Sequence, residues 1–151
     1  MMVCSIIFRP IKYGRWLPLR SVTRVMVTNP VSYFEIPVSK MDRAVKFYEA
    51  VLEIGLERQN IDGYEMALFP SNPGAPGATG ALAKGDVYVP AKAGPVVYFD
   101  VGDIDAVLAR ATAQGGKILY PRKDVGEFGM VAEFEDSEGN HIAIHCPKES
   151  S

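Results

Sequence analysis

The titratable side chains that could do chemistry in this chain are few, and they fall on predicted strands. Glu35 stands among apolar residues of one strand, where a carboxylate that faces a cavity is a candidate general base. The chain contains two histidines, His141 and His145, and both lie on a strand near the C-terminus. Two histidines and one carboxylate are the composition of a known type of metal site. Acid–base chemistry, with Glu35 as base and His145 as acid, is the metal-free interpretation of the same residues.

Strand geometry restricts the metal hypothesis. Residues i and i+4 of one strand are roughly 13 Å apart at about 3.3 Å per residue, so His141 and His145 cannot both bind one ion. A displaced divalent metal would therefore depend on Glu35 and His145, and our primary expectation is that no metal or other cofactor binds. The histidines also have a structural interpretation as rim residues of a strand. Glu35 has one as the partner of another polar side chain: Lys84, Arg122, Tyr98 or His145.

A first run of secondary-structure signals positions Glu35. Residues 33–38 are predicted to form a strand, and the apolar residues of 41–52 recur at helical spacing. Ser39 and Asp42 form an S-x-x-D variant of the capping box at the start of this helix, and Gly55 is its predicted end.

A second run repeats the first and positions the histidines. A strand at 96–101 precedes a helix that runs from 104 to about 114, where two glycines end it. Further strands are predicted at 56–60, 64–69, 79–84, 117–120, 130–135 and 140–146. Strand, helix and three strands therefore occur twice.

A βαβββ unit covers only one face of its sheet with its single helix, so two such units are expected to pair. The predicted fold class is α+β, with two paired βαβββ modules forming a curved, barrel-like mixed sheet with helices outside. Side-chain alternation divides each module into a helix-facing side and a concave side. On the concave side we predict two catalytic residues, Glu35 and His145, and four ligand-binding residues, Tyr33, Tyr98, His141 and, at the mouth, Lys84.

The first 30 residues differ in composition from the rest of the chain. They hold five of the 16 basic residues and no acid, so they carry +5 while the remainder carries −7 of the net −2. We expect 1–30 to be a weakly ordered basic extension with Met26 as an alternative start, and a mitochondrial targeting segment is the other interpretation. The first module with its linker is expected to occupy 31–92, the second module 93–148, and a short tail 149–151.

Composition excludes several classes of partner. The acidic body predicts no nucleic-acid binding, and the apolar stretch at 3–8 is too short to span a membrane. Cys4 and Cys146 form no recognisable disulfide framework, which favours the cytoplasm.

Two segments resemble motifs of the glyoxalase/bleomycin-resistance/dioxygenase proteins, also called the vicinal oxygen chelate superfamily. Residues 38–52 look like the strand-to-helix segment V-x-D-x-x-R-A-x-x-F-Y, and residues 136–142 look like the turn D-P-D-G-N-x-I. The resemblance covers about residues 31–147. It implies the paired βαβββ fold and, because paired modules in this superfamily often assemble across chains, a homodimer.

The resemblance also indicates where a metal would be held. Metal-dependent members use His, Glu or Gln from the first and closing strands of each module, and the metal acts as a Lewis acid on neighbouring substrate oxygens. Carried over to this chain, those positions fall on Tyr33, Val96 and Ala143, and none of these is a normal ligand. The segment 80–84 contributes no Glu or His either.

Three functions follow from the resemblance. The preferred one is binding of a small organic molecule in the concave cavity, as bleomycin-resistance-like proteins bind drugs with aromatic and acidic walls. The second is a lyase, isomerase or dioxygenase-like enzyme with a displaced metal at Glu35 and His145. The third is a metal-free enzyme in which Glu35 acts as base and His145 as acid.

Overall fold

The computed structural model describes residues 31–148, so the predicted extension at 1–30 and the tail at 149–151 lie outside the described residues. Strand, helix and three strands occur twice, as the repeat predicts. The first module contains β1 (Tyr33–Pro37), α1 (Met41–Leu52), β2 (Glu57–Ile61), β3 (Tyr64–Leu68) and β4 (Thr79–Lys84). The second contains β5 (Val97–Asp100), α2 (Ile104–Ala113), β6 (Lys117–Asp124), a 3-10 turn (Gly126–Phe128), β7 (Met130–Glu135) and β8 (His141–Cys146).

Each module forms its own four-stranded mixed sheet. The strand order is β1-β4-β3-β2 in the first sheet and β5-β8-β7-β6 in the second. The first strand of each module pairs in parallel with the fourth, and the remaining pairs are antiparallel. The α+β class and the two modules are confirmed, but the described strands form two sheets that are not closed into a barrel.

One hydrophobic core joins the two modules on the helix-facing sides of the sheets. It contains Ile36 from β1 and Leu82 from β4 together with Ile142 from β8, all almost fully buried. Helix α1 packs on β3 and β4, and its Phe47 also contacts Phe134 of β7 at 6.0 Å between ring centroids. The helices lie against one face of each sheet, and the other face of each sheet points away from the shared core.

The start of α1 differs from the predicted capping box. Lys40 is the N-cap residue, and its side chain makes no capping hydrogen bond. Asp42 instead accepts a hydrogen bond from Arg58. The free backbone N–H groups of Ser39 and Lys40 donate to the carboxylate of Glu138, which belongs to the second module. The cap is therefore supplied by a residue about a hundred positions away, which a local sequence pattern cannot show.

The end of α1 also differs from the prediction. Glu53 follows the helix in the left-handed conformation, with φ of 56°, so the helix stops before Gly55. Strand β6 is longer than predicted, with bulges in its pairing to β7. In the described part of the chain, neither helix has the length and apolar composition needed to cross a bilayer.

Candidate functional site

Five of the six predicted site residues lie on two surfaces, which we call the first and second open faces because no helix of the described residues covers them. The first open face carries Tyr33 and Glu35 on β1, next to Ala81 and Ala83 on β4 and Met66 on β3. Tyr33 is 44% exposed, and burial together with nearby Glu35 raises the pKa of its phenol.

The second open face gathers polar and aromatic residues of β5, β7 and β8. Tyr98, Ala143 and Glu133 lie side by side across the three strands, and His141 and His145 flank Ala143 on β8. Tyr98 is 53% exposed. Phe134 of β7 faces the core instead and is fully buried.

Glu35 has a partner that sequence reasoning missed. The hydroxyl of Tyr88, in the linker between the modules, donates a hydrogen bond of 2.8 Å to Glu35 Oε2. This bond raises the pKa of Tyr88 to about 12, so the phenol stays protonated at neutral pH. The four partners considered from the sequence did not include Tyr88. An irregular linker has no periodic pattern from which the surface that it contacts can be predicted.

His145 is held between two acceptors on the second open face. Its Nδ1 lies 2.9 Å from a carboxylate oxygen of Asp100, and its Nε2 faces the backbone carbonyl of Phe128 in the 3-10 turn. The bond to Asp100 and the Phe128 carbonyl raise the pKa of His145 above its ordinary value, against a smaller opposing effect of burial. Both ring nitrogens donate in the protonated form, which fits this arrangement.

His141 pairs with a carboxylate that was not among the predicted residues. Its Nε2 lies 2.7 Å from Glu133 Oε2, and both side chains are about three-quarters buried. Glu133 lies on β7, one strand away from the histidine. Strand alternation would have put Glu133 on this face, but the sequence does not show which residues of β7 and β8 are paired.

Lys84 does not lie where we expected it. It alternates with Ala81 and Ala83 on β4 and so shares the helix-facing side with Leu82, where its ammonium group forms an ion pair of 3.0 Å with Glu65. The mouth of the first open face therefore lacks this cation.

The predicted titratable residues are not brought together as one cluster. Glu35 lies on the first sheet and both histidines lie on the second, and each is hydrogen-bonded to a different group. In the described part of the chain, no group of three or more His, Cys, Asp or Glu side chains is arranged to hold a metal ion. Tyr33 and Ala143, at two of the positions where the family would place ligands, offer a phenol and a methyl group. The residues present do not fit the family's metal.

The two motifs that carry the family resemblance contact each other. Arg43 in α1 donates to Glu138 in the β7–β8 turn at 2.6 Å. The buried hydroxyl of Tyr48 donates to Asp136 in the same turn, also at 2.6 Å. The amide of Asn140 donates to the last carbonyl of β1. We call these contacts the intermodule clip, and they show that both motifs hold the modules together, while His141 of the second motif also lies on the second open face.

None of the six predicted site residues lines the cavity between the two helices and the phenylalanine rings of the core. It has a volume of about 640 Å³ and lies on the helix-facing side, where the two modules meet. The rings of Phe34, Phe69 and Phe99 line it with centroids 5.5–5.8 Å apart. A smaller cavity of about 310 Å³ contains both Glu35 and His141 in its lining, beneath the linker.

Sequence comparison defines the family to which this chain belongs. The sequence model of the Glyoxalase/Bleomycin resistance protein/Dioxygenase superfamily matches residues 31–144, and the chain belongs to this superfamily. The chain is also 31% identical over 139 residues to proteins named "Putative glyoxylase CFP32" of Mycobacterium bovis and Mycobacterium tuberculosis. The match covers 89% of this chain and 51% of the relatives, so the chain spans about half of their length.

Solved structures of low sequence identity share the fold. A glyoxylase/bleomycin resistance protein/dioxygenase domain from Frankia has a TM-score of 0.62 and 18% identity, covering 82% of this chain and 95% of its own. TnmS3, an antibiotic binding protein from Streptomyces, has a TM-score of 0.57 and 23% identity, with coverage of 82% and 99%. The fosfomycin resistance protein FosX of Listeria monocytogenes has a TM-score of 0.61 and 14% identity, with coverage of 82% and 94%.

Proposed function

We propose that this protein binds a small organic molecule on its open faces, through aromatic contacts and hydrogen bonds to carboxylates, without a metal at the family's usual positions. The observation that carries the proposal is the exposure of Tyr33 and Tyr98, 44% and 53%, on faces that also present Glu35 and Glu133. Exposed aromatic rings beside a few polar groups are typical of sites that bind planar or apolar ligands. The printed names of TnmS3 and FosX, which concern antibiotics, are in keeping with a small-molecule ligand.

The residues at the metal positions support binding over metal-dependent chemistry. Tyr33, Val96 and Ala143 stand where the family would place ligands, and a divalent site generally needs three or more nitrogen or oxygen ligands. The displaced alternative uses Glu35 and His145, but the described structure places them on different sheets. Both ring nitrogens of His145 already face acceptors, so metal binding would have to break one of those contacts.

The proposal is tested by ligand screening with matched variants. A panel of planar aromatic and drug-like molecules is screened by thermal shift, and hits are measured by calorimetry on the wild type, Tyr33→Ala, Tyr98→Ala and Tyr98→Phe. We expect Tyr98→Ala or Tyr33→Ala to weaken binding about tenfold, corresponding to about 1.4 kcal/mol, while Tyr98→Phe keeps the ring and most of the affinity. Hits whose affinity is unchanged in both alanine variants would overturn the proposal.

The two enzyme alternatives predict different outcomes. A displaced metal requires a stoichiometric divalent ion in protein purified without chelators, lost in both Glu35→Gln and His145→Gln. Metal-free acid–base chemistry requires turnover of a bound hit that Glu35→Gln abolishes while binding persists. We also propose that the chain forms a homodimer and is located in the cytoplasm. Light scattering of the purified full chain measures the oligomeric state.

A further inference from the structure

The linker between the modules covers part of the first open face. Tyr88 packs against the small cluster formed by Met66, Ala81 and Ala83, and its ring meets that of Tyr64 edge-to-face at 5.4 Å with an interplanar angle of 88°. Its hydroxyl reaches Glu35. We call the cluster of Met66, Ala81 and Ala83 the apolar floor of this face and the ring of Tyr64 its aromatic wall. Tyr88 therefore contacts the floor, the wall and the Glu35 carboxylate at the same time.

The backbone of the linker turns sharply to place Tyr88 there. The N–H of Tyr88 donates to the carbonyl of Gly85 at 3.2 Å, which closes a turn. A Cβ atom at Gly85 would lie 2.3 Å from the Tyr64 ring, so only glycine lets the chain pass this closely over the aromatic wall. The neighbours Val87 and Val89 are 66% and 72% exposed, so Tyr88 alone of these three points inward.

The far end of the linker is attached to the second module by polar contacts. The N–H of Ala91 donates to the side chain of Asn140 at 3.1 Å, and Lys92 forms an ion pair of 2.6 Å with Glu135. Between the turn at Gly85 and these contacts, Tyr88 holds the linker on the first open face through its hydrogen bond to Glu35 and its ring contact with Tyr64. A ligand that replaced them could displace this segment while both ends of the linker stayed in place.

We propose that the side chain of Tyr88 occupies a ligand subsite of the first open face. The ligand of this subsite is a phenol, or an aromatic ring with an equivalent hydrogen-bond donor, which displaces Tyr88 and donates to Glu35. This inference rests on the proposed function and names the ligand class for one of its two faces. The contacts that Tyr88 makes in the subsite indicate which kind of ligand the subsite can bind.

The surroundings of the subsite select this class over others. Met66, Ala81 and Ala83 are at least 97% buried and offer no polar group, so the body of the ligand must be apolar. Glu35 would repel an anionic ligand. An aliphatic ammonium ion could pair with Glu35, but it would forgo the edge-to-face contact with Tyr64 and would lose its hydration against an apolar floor.

The test uses p-cresol, the side-chain analogue of tyrosine, with toluene and n-butylamine as comparison ligands. Calorimetry and thermal shift are performed on the full chain as wild type, Tyr88→Ala and the double variant Tyr88→Ala/Glu35→Gln. Val87→Ala is the matched control, because it removes an exposed side chain of the same linker. We expect p-cresol to bind Tyr88→Ala at least tenfold more tightly than the wild type or Val87→Ala, because the subsite no longer has to be vacated. Toluene should bind Tyr88→Ala about tenfold more weakly than p-cresol does. In the same way, p-cresol should bind the double variant about tenfold more weakly than it binds Tyr88→Ala.

A measurement on the wild type makes the test independent of how Tyr88→Ala folds. Saturating p-cresol should release Tyr88, seen by NMR as loss of the ring contact between Tyr88 and Tyr64. Equal p-cresol affinity for wild type and Tyr88→Ala, equal affinity for p-cresol and toluene, or tighter binding of n-butylamine would overturn the proposal. If screening hits still depend on Tyr98 after such a result, the subsite is wrong and the proposed function stands. If p-cresol behaves as expected but neither Tyr33→Ala nor Tyr98→Ala affects any hit, the broader function fails and the subsite remains.

Discussion

Glu138 offers the sharpest test of how the two modules hold each other. Its side chain is fully buried, with 0% exposure, and accepts hydrogen bonds from Arg43 at 2.6 Å and from the backbone N–H groups of Ser39 and Lys40 at 2.8 and 2.9 Å. Glu138→Ala removes a helix cap, which costs about 1–2 kcal/mol, and leaves N–H donors without a partner, which costs about 1–3 kcal/mol. We expect the free energy of unfolding to fall by about 2–4 kcal/mol, since the two costs overlap.

Urea unfolding followed by circular dichroism measures this loss, with two companion variants. Glu138→Gln keeps one acceptor oxygen and loses the charge, so we expect a smaller loss of about 1–2 kcal/mol. Glu127→Ala, at an exposed glutamate in the 3-10 turn, is the matched control and should stay within about 0.5 kcal/mol of the wild type. A loss in Glu138→Ala no larger than that of the control would refute the assignment of the cap to the second module.

The pH dependence of stability in wild type and Glu138→Gln gives an independent check. Burial raises the pKa of Glu138, but hydrogen bonds from Arg43 and from the backbone of Lys40 and Ser39 outweigh it, so the pKa lies below its ordinary value. A depressed carboxyl pKa stabilises the fold above the unfolded pKa of about 4.3, and this contribution is lost as the pH falls through the folded pKa. The stability difference between wild type and Glu138→Gln should therefore shrink on acidification below about pH 4. A difference that grows on acidification would mean that the pKa of Glu138 is raised by folding rather than lowered.

Two further substitutions test the packing around the site. Tyr48→Phe removes a buried hydroxyl that donates to Asp136 at 2.6 Å, and we expect urea unfolding to show a loss of about 1.5–3 kcal/mol; an unchanged midpoint would show that this part of the clip contributes nothing. His145→Gln removes a histidine whose pKa is raised by Asp100 and the Phe128 carbonyl, so the advantage of the wild type should be full below the unfolded pKa of about 6.5 and should be lost as the pH rises through the folded pKa. Thermal melts of both proteins between about pH 5.5 and 8.5, a range that brackets this titration, measure the effect, and an advantage that increases with pH would contradict it.

The elements were largely predictable because their signals are local. The apolar spacing of 41–52 indicated that α1 exists and which face it buries, and strands β4 and β7 were predicted with their observed ends. The ends of α1 were not predictable in the same way. Its N-terminus is capped by a residue from a distant turn. At its C-terminus the left-handed residue is Glu53 rather than a glycine, so nothing in the sequence indicated it.

The candidate site was only partly predictable. The sheet face on which a side chain lies follows from its own strand, whereas its neighbours belong to other elements of the fold. Alternation along β1 correctly put Tyr33 and Glu35 away from the helix, and alternation along β8 did the same for His141 and His145. The partner of each group depends on other strands and on the linker. The pairing of His141 with Glu133 requires the β7–β8 register, and the pairing of Glu35 with Tyr88 requires the path of an irregular segment.

The sequence by itself determined the repeat, the family and the lack of normal metal ligands at Tyr33, Val96 and Ala143, because residue types and periodicities are read directly from the chain. The tertiary structure decided that the helix-facing sides of two separate sheets share one core, with Glu35 on one sheet and His145 on the other. It also decided that the two family motifs form the intermodule clip. The physical reason is that burial of the helix-facing sides sets how the modules pack, and only that packing fixes which polar groups meet.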